Sequence, residues 1–180
     1  MQLKLAFGAA LACLALAAAC GGDPASGSNG SASTSCKPYT PPSSFDAEHP
    51  AVSFRADVLP IFQRSCAFAS CHGASAQGGL GLATSPASVH TSLVGVPSKG
   101  LPSMARVKAG DTGESFLLHK VNGDACALAG CTDDCAESMP QGLPLLAEAD
   151  RMKLFAWVAQ GATDDAVSGS SSSGTPDAGE

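Results

Sequence analysis

The sequence predicts an all-α fold of three to five short helices joined by long loops. Apolar residues recur at three- and four-residue spacing in several segments, and no segment shows the convincing alternation of a half-buried strand. Residues that start or stop helices flank several of these segments. The apolar residues are rich in Ala, with only one Trp and one Tyr, so the core should be modest. A cofactor, disulfide bonds or a partner would help to stabilise it.

The first predicted helix leads into Cys66, and Pro60 either kinks it or starts its second part. Its apolar positions share one helical face: Phe54, Val58, Ile61 and Phe62. A second short helix opens at Ser85 and Pro86, where an N-cap serine precedes a first-turn proline, and continues through Val89 to Leu93.

Two further helices are predicted in the second half of the chain. Residues 111–114 fit a capping box that starts a helix through residues 116–118, which should stop at Asn122 and Gly123. The closing helix runs from about Ala147 to Gln160, and Gly161 ends it. Residues 78–82 and 95–102 are predicted to be loops, and loops of this length are easier to explain if they wrap a flat cofactor.

The chain divides by composition into four segments. Residues 1–19 are typical of a signal peptide: Lys4 precedes an apolar run that is too short for a comfortable membrane span. Residues 20–44 form a flexible tether rich in Gly, Ser and Pro, residues 45–165 form the folded domain, and residues 166–180 form a disordered tail.

The end of the signal peptide resembles a loose bacterial lipobox, in which Cys20 becomes the acylated first residue. Cys13 is a rival acceptor, and ordinary cleavage would leave Cys20 as a free or paired thiol. Lipidation at Cys20 would anchor the exported protein in the cell envelope, at a periplasmic or outer-membrane face.

The charge of the chain argues against nucleic-acid binding. Lys and Arg number 10 against 16 Asp and Glu, and no basic stripe is present to follow phosphates. An acidic face would either steer a basic protein partner or simply keep the surface solvated.

The segment from Cys66 to His72 is the main candidate functional site. Two thiols can add to the vinyl groups of a haem, and a histidine directly after the second thiol is then carried beneath the iron. Here four residues separate Cys66 and Cys71, whereas the usual number is two. A Cys66–Cys71 disulfide beside an exposed His72, or a zinc site that includes downstream cysteines, are the alternatives.

The order of motifs resembles the cytochrome c family, in particular the cytochrome-c-like domains of exported bacterial lipoproteins. The resemblance covers most of the domain. The stretches that carry it are residues 54–62, residues 71–73, residues 106–111 with 115–117, Met139-Pro140, and residues 157–162.

The resemblance implies a cytochrome c-like domain with covalent haem c at Cys66 and Cys71. His72 and Met139 would be the axial ligands of the haem iron, because the family places its distal methionine on a loop before the last helix. Poorer candidates for the distal ligand are Met104, Met152, His90 and His119.

The function implied is membrane-anchored electron transfer to and from redox protein partners, by a carrier rather than an enzyme, since both axial positions are filled. One alternative is a haem-free surface lipoprotein, stabilised by disulfides, that acts as a binding or scaffolding module. Another is a haem enzyme or sensor with an open distal site.

The four remaining cysteines are candidates for two disulfides, with three possible connectivities. They are Cys36, Cys126, Cys131 and Cys135. Pairing within residues 126–135 would close the loop just before Met139, and a bond from Cys36 would fix the end of the tether to the domain.

Overall fold

The computed structural model describes residues 36–165. Within them the chain forms four α-helices and no strand, which confirms the all-α prediction. The helices are α1 (Leu59–Ser65), α2 (Pro86–Leu93), α3 (Phe116–Asn122) and α4 (Glu148–Ala159). The predicted signal peptide, the Cys20 lipidation site and the C-terminal tail lie outside the described residues. Among the helices of residues 36–165, none has the length and apolarity needed to cross a membrane.

The helix before the cysteine pair is built in two parts. A π-helical turn, Phe54–Val58, continues directly into α1, and Pro60 lies in the first turn of α1. Proline is tolerated at that position because the first main-chain N–H groups of a helix have no partner within it. Pro60 therefore starts the second part of the helix, one of the two roles that the sequence allowed.

The first and last helical elements pack together through aromatic side chains. The rings of Phe54 and Trp157 stack with their centres 5.3 Å apart, and the His90 ring packs edge-on against both. Nε2 of His90 lies 2.7 Å from the carbonyl oxygen of Ala162, which fixes the chain just after α4. Phe54 and Trp157 belong to the larger of two apolar clusters, to which α1, α2, α3 and α4 all contribute buried residues.

The helix predicted after the capping box begins later than expected. Asp111 Oδ1 accepts a hydrogen bond from the Glu114 N–H at 3.1 Å, but this contact closes a turn and not a helix. The Ser115 hydroxyl donates to the Asp111 carbonyl and accepts from the Lys108 N–H, so residues 108–115 are held as a compact loop. The helix starts only at Phe116, and it ends at Gly123, whose φ of 74° suits glycine.

The end of the predicted tether lies against the domain. Cys36 forms a disulfide with Cys126, and the Tyr39 N–H donates to Asp124 Oδ2 at 2.6 Å. The guanidinium of Arg151 lies 4.9 Å from the centre of the Tyr39 ring, within the range of a cation–π contact. Residues 36–44 thus make specific contacts with the helical domain.

A second disulfide, Cys131–Cys135, closes the loop after α3. It packs beside a smaller apolar cluster that contains Leu101, Met104, Phe116 and Ala125. The structure therefore selects one of the three connectivities and places one bond just before Met139.

Candidate cofactor site around Cys66, His72 and Met139

The segment between the two motif cysteines folds as a tight turn. Cys66 is the C-cap of α1, and its carbonyl accepts a hydrogen bond from the His72 N–H at 3.2 Å. The carbonyl of Phe68 accepts from the N–H groups of both Cys71 and Gly73, each at 2.9 Å. The four intervening residues therefore bring His72 back towards the end of α1.

Gly73 makes this return possible. A Cβ built on Gly73 would stand 2.6 Å from the carbonyl oxygen of Ala67 and 2.7 Å from that of Phe68. Both atoms belong to the main chain and cannot rotate away. A residue with a side chain at this position would open the turn that carries His72.

The imidazole of His72 is oriented by two main-chain carbonyls. Its Nδ1 lies 3.0 Å from the Gln77 oxygen and 3.3 Å from the Leu80 oxygen. A carbonyl can only accept a hydrogen bond, so Nδ1 carries the proton and Nε2 of the neutral ring keeps its lone pair. This is the usual arrangement of a histidine that binds a metal through Nε2.

Cys66 and Cys71 are not joined to each other. The four remaining cysteines of residues 36–165 are all in disulfides, so the motif cysteines are the two free thiols of that region. Burial raises the pKa of the Cys66 thiol to about 11, and the nearby Cys71 adds to the rise, whereas Cys71 itself is exposed.

A cavity of about 410 Å³ brings His72 and Met139 together. Its volume falls in the range of small-molecule and cofactor pockets, roughly 300–1,000 Å³. Apolar lining comes from Leu80, Leu93, Phe116 and Leu117, and basic side chains from Lys99, Arg106 and Lys120. Cys66 and Cys71 lie outside this lining.

His90 and His119, the two histidines considered as poorer candidates for the distal ligand, do not line the cavity. His90, on α2, packs edge-on against Phe54 and Trp157. His119 uses both ring nitrogens, with Nδ1 3.0 Å from Asp124 Oδ1 and Nε2 2.9 Å from the Gly113 oxygen. These contacts raise the pKa of His119, mainly through the hydrogen bond to Asp124, and partial burial opposes the rise.

The other candidate methionines also lie elsewhere. Met104 is buried in the smaller apolar cluster, and the sulfur of Met152 accepts a hydrogen bond from the Tyr39 hydroxyl at 3.7 Å. Met139 is thus the methionine among residues 36–165 that shares a cavity with His72.

Two basic residues of the site had no role assigned from the sequence. Arg106 donates to the carbonyls of Ser92, Gly78 and Gly79 and so ties the glycine-rich loop to α2. Lys120 is only 7% exposed, and burial lowers the pKa of its ammonium group while Glu137 and Asp134 oppose that change. The sequence did offer one signal for Lys120, since a lysine at a buried position of an apolar helix is unusual. Its hydrogen-bond partners, the carbonyls of Asp134 and Cys135, are distant in the chain and could not be named from the sequence.

A zinc site built from the downstream cysteines does not fit this arrangement, because Cys126, Cys131 and Cys135 are all in disulfides. Residues 36–165 contain no group of three or more His, Cys, Asp or Glu side chains placed to hold a metal ion. A haem iron takes its protein ligands one from each side and does not require such a group.

Comparison with models of protein families, with curated proteins and with solved structures gave no match.

Proposed function

We propose that this protein is a cytochrome c-like electron carrier with covalently bound haem. Cys66 and Cys71 hold the haem, and His72 and Met139 are the axial ligands of its iron. The observation that carries the proposal is that His72 and Met139 line one cavity while the Nδ1 of His72 is held by main-chain carbonyls.

The donor set suits haem iron in a c-type site. A neutral imidazole nitrogen and a thioether sulfur are the usual axial pair in cytochromes c, and together they raise the reduction potential. The carbonyls of Gln77 and Leu80 fix the His72 ring so that Nε2 remains the donor atom.

The thiols also suit covalent attachment. Cys66 and Cys71 are unpaired and lie in the turn that ends at His72. Both thiols are therefore within six residues of the proposed iron ligand in the sequence, and main-chain hydrogen bonds fold this segment back towards α1.

When bound, haem supplies an iron that alternates between two oxidation states. His72 and Met139 would supply the two protein ligands of this iron, and iron with both ligands supplied would favour electron transfer over substrate binding. The side chains of Leu80, Leu93 and Leu117 supply apolar lining to the cavity, and burial of the haem against this lining would tune its potential.

The setting of this chemistry is the cell envelope. Residues 1–19 direct export, and acylation at Cys20 anchors the mature chain, so the domain exchanges electrons with redox proteins at a membrane surface. The full sequence has a net charge of −6, and an acidic surface would favour partners with a basic docking face.

The test is haem staining of the exported protein on a denaturing gel, after expression with a c-type haem maturation system. The wild type should stain, and Cys66→Ala and Cys71→Ala should each lose or weaken the stain. The double variant Cys131→Ser/Cys135→Ser, which removes two other cysteines, should still stain. A colourless wild type beside a stained control cytochrome would end the proposal.

A haem-free binding module is the second candidate, because the motif thiols lie outside the lining of the cavity and two disulfides already stabilise the domain. Haem staining followed by urea unfolding distinguishes this candidate. A wild type that does not stain but still unfolds cooperatively would favour a haem-free binding module.

A further inference from the structure

Lys120 is a nearly buried amine on the wall of the cavity, and the proposed function gives it no role. A lysine is almost never buried unless its ammonium group is paired. Its hydrogen-bond partners here are main-chain carbonyls: Nζ donates to the oxygen of Asp134 at 2.9 Å and to that of Cys135 at 2.8 Å. The ammonium also lies 5.7 Å from the centre of the Phe116 ring, a cation–π distance.

The main chain of Lys120 contacts the other end of the same segment. Its carbonyl accepts a hydrogen bond from the Met139 N–H at 2.7 Å. One residue of α3 therefore holds the segment 134–139 at both ends, through its side chain at the start and through its backbone at the end.

The disulfide Cys131–Cys135 limits the same segment from its N-terminal side. The covalent bond closes a short loop, but it does not attach that loop to α3. The contact between the Lys120 ammonium and the carbonyls of Asp134 and Cys135 makes that attachment.

We propose that Lys120 is a positioning residue for Met139. Its ammonium holds residues 134–139 against α3, and this attachment keeps the Met139 side chain on the wall that it shares with His72. The assignment rests on the proposed function only for the identity of Met139 as an iron ligand.

Amide hydrogen exchange tests the positioning without requiring haem. In Lys120→Met, which keeps most of the aliphatic stem, the hydrogen-bonded amides of this segment should exchange roughly tenfold to a hundredfold faster, as expected for a lost hydrogen bond to a charged group. These amides are those of Cys135, Ala136 and Met139. Exchange in α1 and α4 should stay unchanged. Lys120→Arg, which keeps the charge and the donors, should restore part of the protection.

The matched control is Lys153→Met. Lys153 is exposed on α4, its ammonium lies 3.4 Å from Asp57 Oδ1, and it does not line the cavity. This variant should leave exchange in residues 134–139 at the wild-type rate.

The haem-loaded protein provides the second readout. Lys120→Met should weaken the long-wavelength charge-transfer band of sulfur-ligated ferric haem and lower the midpoint potential, whereas Lys153→Met should keep the band. Should Lys120→Met fail to fold, Lys120→Gln, which keeps a shorter donor, is measured with the same expected changes.

Two results would overturn the proposal: wild-type exchange in residues 134–139 of Lys120→Met, or faster exchange there with an unchanged band. If the wild type binds no haem, the proposed function fails, but the exchange rates still decide whether Lys120 holds the segment.

Discussion

His72 and Met139 line the same cavity, although His72 follows the cysteine pair after α1 and Met139 lies in the loop before α4. Two different sets of main-chain contacts place them there. Carbonyls of residues 77 and 80 orient the His72 ring, and the carbonyl of Lys120 binds the Met139 N–H.

Replacing Met139 should remove the distal ligand without removing the haem. In Met139→Leu, which nearly conserves side-chain volume, the haem stain should persist and the long-wavelength charge-transfer band should disappear. Met104→Leu is the matched control, since Met104 is buried in the smaller apolar cluster away from the cavity. Absorption spectra of the ferric proteins decide the matter, and loss of the band in Met104→Leu alone would assign the ligand to Met104.

Gly73→Ala should destabilise the motif turn by about 1–3 kcal/mol, the usual cost of inserting a methyl group where the surroundings cannot relax. The added Cβ would meet two main-chain oxygens within 2.7 Å. Gly81→Ala is the control from the same region, because its Cβ would have its nearest neighbour at 3.9 Å. Urea unfolding of both variants measures the difference, and equal free energies of unfolding would show that the turn tolerates a side chain.

The two disulfides should contribute unequally to stability. Cys36–Cys126 spans a sequence separation of 90, and Cys131–Cys135 spans one of 4. A disulfide restricts the unfolded chain more when the loop that it closes is longer, so removing the first bond should lower the free energy of unfolding by about 4–5 kcal/mol and removing the second by about 2 kcal/mol. The double Ser variants of each pair, compared by urea unfolding, give these values. A larger loss for the short loop would indicate that its native contacts, and not chain entropy, dominate.

The His119–Asp124 pair should make stability depend on pH. The pKa of His119 is raised in the folded protein, chiefly by its hydrogen bond to Asp124. A raised folded pKa means that the stabilisation is fully present below the unfolded value of 6.5 and is lost as the pH rises through the folded pKa. As the pH rises from about 5 to about 8, the urea midpoint of unfolding should therefore fall more in the wild type than in His119→Gln. Parallel curves for the two proteins would contradict this.

The helices were largely predictable from local signals. Ser85 caps α2 by accepting from the Ser88 N–H, and Gly123 ends α3, because such capping contacts depend on residues close in sequence. The start of α3 was predicted too early, since the Ser115 hydroxyl bonds back to Lys108 and Asp111 and holds the loop that a capping box would otherwise have made helical.

The site was predictable only in part. The thiols, His72 and Met139 carry recognisable chemistry in the sequence, so they could be named. The cavity that His72 and Met139 share, the carbonyls that orient His72 and the contacts of Lys120 depend on segments that are distant in the chain. Lys120 Nζ, for example, bonds carbonyls, which every residue possesses, and such a partner leaves no signature in the sequence.

The most direct test of covalent haem attachment is the mass of one peptide. Trypsin cleavage after Arg64 and Lys99 releases residues 65–99, which contain both motif cysteines and His72. In protein exported with a c-type maturation system, this peptide should be heavier by one intact haem, and fragmentation should place the haem on Cys66 and Cys71. A peptide at the mass of the free thiols, or lighter by the two hydrogens lost in a Cys66–Cys71 disulfide, would contradict the account.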